Sequence, residues 1–118
     1  MARLTTSVFA SGLIRQINGA GGSAVIARKG SPEAGAIYIS RWLADERLYA
    51  LYVPALIIDE SLLAIGGRAF RELEDRFEEA RLADYVARES SFDPDFWLVE
   101  IENCTMPIEA MITLLDDD

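Results

Sequence analysis

The 118-residue sequence contains no histidine, one cysteine (Cys104) and one lysine (Lys29). Without histidine there is no imidazole general base, no Ser-His-Asp or Cys-His constellation, and none of the usual catalytic zinc ligand sets. With a single cysteine no intrachain disulfide can form, which suits a reducing compartment and leads us to expect a cytoplasmic protein. The start, Met1-Ala2-Arg3-Leu4-Thr5, lacks the apolar core of a secretory leader. The longest apolar run, Leu48 to Ile58, is interrupted by Pro54 and falls short of the roughly 20 residues that a membrane span requires, so no membrane association is expected.

Basic residues are also scarce, at 11 against 20 acidic ones, for a formal net charge of -9. Nucleic-acid binding draws on clustered cations that displace counterions from phosphates, so this balance argues against DNA or RNA as a partner. What the chain has in quantity is apolar side chains, 51% of the total, enough for one core in a single domain over residues 1–118 without a metal or disulfide staple.

The spacing of Phe9, Ala10, Leu13, Ile14 and Ile17 predicts an amphipathic helix, with Thr5, Thr6 or Ser7 as its cap and Asn18-Gly19-Ala20-Gly21-Gly22 as its stop. A glycine run after a helix sits at the wrong end of the dipole to cradle phosphate. Strands follow at residues 23–28, 35–43 and 47–53, separated by the turn chemistry of Lys29 to Glu33 and Asp45-Glu46, and their short connections predict an antiparallel meander. Residues 55–67 fit either an extension of the third strand through Leu56, Ile57 and Ile58 or a short helix through Leu62, Leu63 and Ile65. Residues 68–76 fit helix or edge strand equally. The pattern of Leu82, Tyr85 and Val86 predicts a second helix over 78–89, ended by Ser90-Ser91 and Asp93-Pro94. Residues 96–103 alternate, Trp97, Val99 and Ile101 on one face and Leu98, Glu100 and Glu102 on the other, the pattern of a half-buried strand. Residues 107–115 suit a short helix capped by Thr105 or a last strand, and Asp116-Asp117-Asp118 a solvated tail. The expected fold is a two-layer α+β domain: an antiparallel sheet of four or five strands with both main helices on one face. That arrangement would leave Tyr38, Trp42, Leu48, Tyr52 or Leu98 on a partly open second face, a surface suited to association.

Three stretches resemble an uncharacterised alphaproteobacterial family, domain of unknown function 1491. They are Leu4-Thr5-Thr6 through Leu13-Ile14-Arg15, then Glu33-Ala34-Gly35-Ala36-Ile37-Tyr38-Ile39, and most specifically Ala87-Arg88-Glu89-Ser90-Ser91-Phe92-Asp93-Pro94-Asp95-Phe96-Trp97-Leu98-Val99-Glu100-Ile101-Glu102. The resemblance spans roughly residues 3 to 103. It implies a small bacterial cytoplasmic protein and carries no activity.

Chemistry has one main candidate site. Asp93, Asp95, Glu100 and Glu102 lie close in sequence, and converging carboxylates hold Mg²⁺ or Ca²⁺, which would suit a divalent-metal-dependent hydrolase. The plainer reading makes Asp93-Pro94-Asp95 a turn and leaves Glu100 and Glu102 on a hydrated strand face. Arg28, Arg41 and Arg47 are placed to pair with those glutamates or to bind an anion. Tyr38, Trp42, Tyr49 and Tyr52 could stack on bases, but without flanking cations they fit core packing or an interface better. Cys104, with carboxylates nearby and no histidine, reads as a packed thiol. No cofactor is expected, and the leading expectation is a non-enzymatic interaction module whose partner is another protein or a second copy of the chain.

Overall fold

The computed structural model describes residues 4–55 and 67–115. The elements run α1 (Thr6–Gly19), β1 (Ala24–Arg28), β2 (Ile37–Leu43), β3 (Leu48–Pro54), β4 (Ala69–Glu72), α2 (Glu79–Phe92), β5 (Trp97–Ile101), a 3-10 turn (Ile108–Ala110) and β6 (Thr113–Leu114). The alternative readings of residues 56–66 and the acidic tail fall outside the described residues.

The sheet has six strands in the order β1-β5-β2-β3-β4-β6. It is mixed rather than antiparallel. β5 runs antiparallel to β1 and parallel to β2, β3 is antiparallel to both β2 and β4, and β6 is parallel to β4. Two features enlarge the expected sheet of four or five strands. Residues 69–72 settle as a strand against β3, and the end of the chain adds β6 after its 3-10 turn.

The expected meander is also corrected. β2 and β3 do form a hairpin, but β5 inserts between β1 and β2. Residues 29–36 are more than a tight turn: they pass over the start of β5, where the Ser31 N–H donates to the Asp95 carbonyl at 3.0 Å. A Cβ on Gly30 or Gly35 would collide with that same carbonyl, so both glycines permit the crossing. Trp97 locks it from below by donating its indole N–H to the Ser31 carbonyl at 2.7 Å.

The two helices lie on opposite faces of the sheet, not on one. Alternation along β3 sends Ala50 and Tyr52 into the core with Phe9, Leu13 and Ile17 of α1, and Leu51 and Val53 into a second cluster with Leu82 of α2. Both faces of β2 and β3 are apolar for this reason: each meets a helix. The face under α1 is the larger core, and Trp97, Val99 and Ile101 are fully buried in it, as their alternation requires.

Helix ends follow local chemistry. Thr5 occupies the cap position of α1 without a side-chain cap bond. Instead the Ser7 N–H donates to the Pro32 carbonyl at 2.9 Å, so the crossing loop satisfies a donor that the helix itself leaves open. The helix stops at the glycine run, where Gly21 has φ 89 and Gly22 leaves room for the Asn103 carbonyl. α2 runs through Ser90-Ser91, whose hydroxyls donate back to the Ala87 and Arg88 carbonyls at 2.9 and 2.7 Å, and ends only before Asp93-Pro94.

Candidate functional site

The four candidate carboxylates are divided between the two ends of β5. Asp93 follows the last residue of α2, and its side chain accepts the Asp95 N–H at 3.0 Å, which makes Asp93-Pro94-Asp95 a turn closed on itself. Glu100 lies in β5 opposite Val25 and Ser40, on the α2 side of the sheet. Glu102 follows the strand, is exposed, and donates its N–H to the Ser23 carbonyl at 2.8 Å. A strand rises about 3.3 Å per residue, so Asp95 and Glu102 stand on the order of 20 Å apart. Among the described residues no group of three or more acidic or thiol side chains is arranged to hold a metal ion. Closeness in sequence became distance in space because the intervening residues are fully extended.

The arginines serve the backbone rather than those glutamates. Arg28 donates to the Pro94 carbonyl at 2.8 Å and its guanidinium covers the Phe96 ring at 4.6 Å. Arg41 donates to the carbonyls of Cys104 and Met106 at 3.1 and 3.3 Å, holding down the chain that leaves β5. Arg41 and Glu100 project from opposite faces, since Ser40 is the residue beside Glu100. Arg47 lies in the β2–β3 turn with φ 58. Arg76 bridges Glu72 at 2.7 Å and Glu46 at 3.5 Å.

The aromatic residues do not form one platform. Tyr52 is buried on the α1 side. Tyr38 faces α2, edge-on to Phe96 and Tyr85 at 5.3 and 6.4 Å, and its hydroxyl donates to Glu89 at 3.3 Å. Burial, followed by the Glu89 carboxylate, pushes the Tyr38 hydroxyl up to about 12. Trp42 packs on Tyr49 at 4.9 Å. Of the five apolar residues expected on a partly open second face, Tyr52 and Leu98 are buried, whereas Tyr38, Trp42 and Leu48 are half-buried, with α2 covering part of that face.

A recess of about 280 Å³ opens at the carboxyl ends of the parallel strands β2 and β5, between Arg41, Trp42, Glu102 and Cys104. Cys104 is half-buried and directs its thiol to the Met106 carbonyl at 3.6 Å. A smaller, apolar groove of about 240 Å³ runs along α1 past Leu4, Val8, Gly12 and Met111.

The surface feature that sequence reasoning missed is the outer edge of β1. Val25 and Ile26 are 56% and 39% exposed. The strand reads Ala-Val-Ile-Ala-Arg, so its one charge, Arg28, stands at the carboxyl end and the exposed pair Val25 and Ile26 has no polar residue between or before it, whereas edge strands normally carry charge or proline along the edge itself. That adjacent apolar pair is the available signal in the sequence.

These features define an α+β protein with a mixed sheet between two helices, no cluster of three or more metal-ligating side chains among the described residues, and apolar exposure at a sheet edge and along one helix. The chain belongs to the family of proteins of unknown function DUF1491, whose model matches residues 4–107. It is similar to a protein from A. tumefaciens solved in solution, with 36% identity over 99% of this chain and 98% of that one and a TM-score of 0.78. It is also similar to a DUF1491 family protein from Caulobacter crescentus CB15, seen in a crystal structure with 30% identity, 86% and 88% coverage and a TM-score of 0.70. An NMR structure of a DUF1491 family protein from that organism gives 28% identity, full coverage of both chains and a TM-score of 0.75. No curated protein matches the chain.

Proposed function

We propose that this protein is a non-enzymatic, cytoplasmic protein-interaction module. The observation that carries this reading is the edge of β1, where Val25 and Ile26 remain in water beside backbone groups that no neighbouring strand of the described residues covers. Such an edge is a template for another strand. The distribution of charge supports a protein partner over nucleic acid, because Arg28, Arg41 and Arg76 are engaged within the fold and the net charge is -9. Among the described residues no helix is long and apolar enough to cross a membrane.

The hydrolase reading rests on Asp93, Asp95, Glu100 and Glu102 acting together, and their division between the two ends of β5 gives it no support. Two measurements separate the readings. Light scattering after size exclusion, together with affinity purification from the native cell, should reveal self-association or a specific co-purifying protein. A thermal-shift scan with Mg²⁺, Mn²⁺ and Ca²⁺ should leave the transition unmoved. A monomer that retains nothing, combined with a metal shift lost in Glu102→Gln, would replace this proposal with metal chemistry.

A further inference from the structure

We infer that the free edge of β1 pairs with the β1 edge of a second copy, antiparallel about a two-fold axis at Ile26, joining two sheets into one. This rests on the interaction-module reading and names its partner.

The backbone specifies the geometry. The Ser23 carbonyl points inward, where it accepts the Glu102 N–H at 2.8 Å, and the Ala24 N–H points outward, where the Asn18 side chain accepts it at 3.0 Å. Direction alternates along an antiparallel ladder, so Ile26, two residues beyond Ala24, also turns its N–H and carbonyl outward. Asn18 satisfies the first outward N–H, and the irregularity between Ile26 and Arg28 ends regular pairing on the other side. What remains open is centred on Ile26. Two Ile26 residues related by a two-fold axis exchange both N–H···O bonds, which makes the edge complementary to itself.

Charge selects the direction. A net charge of -9 opposes self-association in general. Locally the strand is polarised. Arg28 and exposed Lys29 stand at its carboxyl end, whereas exposed Glu102 lies beside Ser23 at its amino end. Antiparallel pairing brings the basic end of each copy to the acidic end of the other, and a parallel arrangement would oppose like charges. Val25 and Ile26 are covered in the process. A contact along one short strand falls below the roughly 1,200 Å² of a standard interface, so the pairing is reversible and depends on concentration.

The test is sedimentation equilibrium of the full chain over a wide concentration range. The mean mass should rise from 13.1 kDa toward twice that value. Ile26→Pro removes an N–H that faces away from β5 and leaves the inner ladder intact, a position where edge strands accept proline. It should hold the mass at the monomer value with an unchanged circular dichroism spectrum. Ile26→Lys keeps the backbone and should do the same, which carries the test if proline disturbs the strand. Val8→Lys, on the α1 groove, should leave association unchanged. Dimers that survive both Ile26 variants overturn the inference and leave the module reading standing. So does a wild-type monomer that retains a partner protein lost in Ile26→Pro, an outcome that assigns the edge to a foreign strand. A monomer that retains nothing overturns both.

Discussion

The Arg68 guanidinium donates to the Thr6 hydroxyl at 2.8 Å, and that hydroxyl donates in turn to the Gly35 carbonyl at 2.7 Å. One buried oxygen thereby ties the residue before β4, the first turn of α1 and the approach to β2. Arg68 is 5% exposed and Thr6 fully buried, so water cannot replace the contact. Thr6→Val keeps the shape and removes the oxygen. It strands a hydrogen of a buried cation and a buried carbonyl, and should cost about 2–3 kcal/mol in urea unfolding. Thr6→Ser, which keeps the hydroxyl, should recover most of that loss.

Ser40 supplies the opposite case. It is as buried as Thr6, yet among the described residues its Oγ has no hydrogen-bond partner. Deleting an unsatisfied buried hydroxyl relieves a desolvation cost, so Ser40→Ala should be neutral or stabilising by up to about 1 kcal/mol. A loss of stability comparable to that of Thr6→Val would mean that the Ser40 hydroxyl is bonded.

Glycine-to-alanine substitutions should divide by position. On Gly30 or Gly35 the new methyl group meets the Asp95 backbone carbonyl, which cannot swing aside, and each variant should lose about 2–4 kcal/mol. Gly12 lies within α1 with nothing within 4 Å of a Cβ placed there. Gly12→Ala should therefore gain about 1 kcal/mol through helix propensity alone. Thermal unfolding of the three variants checks the division, and equal effects at Gly12 and Gly30 would refute it.

This contrast also marks what a sequence can disclose. α1, the β2–β3 hairpin and the inward set Trp97, Val99 and Ile101 were legible because apolar periodicity is a local signal and each element buries a face continuous in sequence. The position of β5 between β1 and β2 was not, because it depends on the contact of Gly30 and Gly35 with Asp95, residues some sixty positions apart that no local pattern connects. The same holds for the placement of α2: Leu82, Tyr85 and Val86 declare an apolar side but not the sheet face it meets. The candidate carboxylates failed to assemble for a simpler reason. Their separation along β5 follows from the strand assignment itself, and a rise per residue applied to positions 95 and 102 already parts them.

Alkaline pH should unfold the protein in step with tyrosine ionisation. All four tyrosines are raised above their ordinary value of 10.0, each chiefly by burial. Carboxylates add to this at Tyr38 and Tyr85 through Glu89, at Tyr49 through Glu79, Glu100 and Glu102, and at Tyr52 through Glu72, where Arg41 and Arg76 act against it. Tyr38 moves furthest, to about 12. Well below pH 10.0 both folded and unfolded chains keep the phenols protonated, and stability is indifferent to them. Above it the unfolded chain releases protons that the folded one retains, so stability falls as pH rises from 10.0 toward 12. Urea midpoints taken across this window should decline, and phenolate absorbance should rise together with the loss of circular dichroism. Tyr38→Phe keeps the ring between Phe96 and Tyr85, removes the group that moves furthest, and should flatten part of the decline. Free ionisation of Tyr38, Tyr49 and Tyr85 at 10.0 in a chain that stays folded would show that their packing on the α2 side of the sheet is loose.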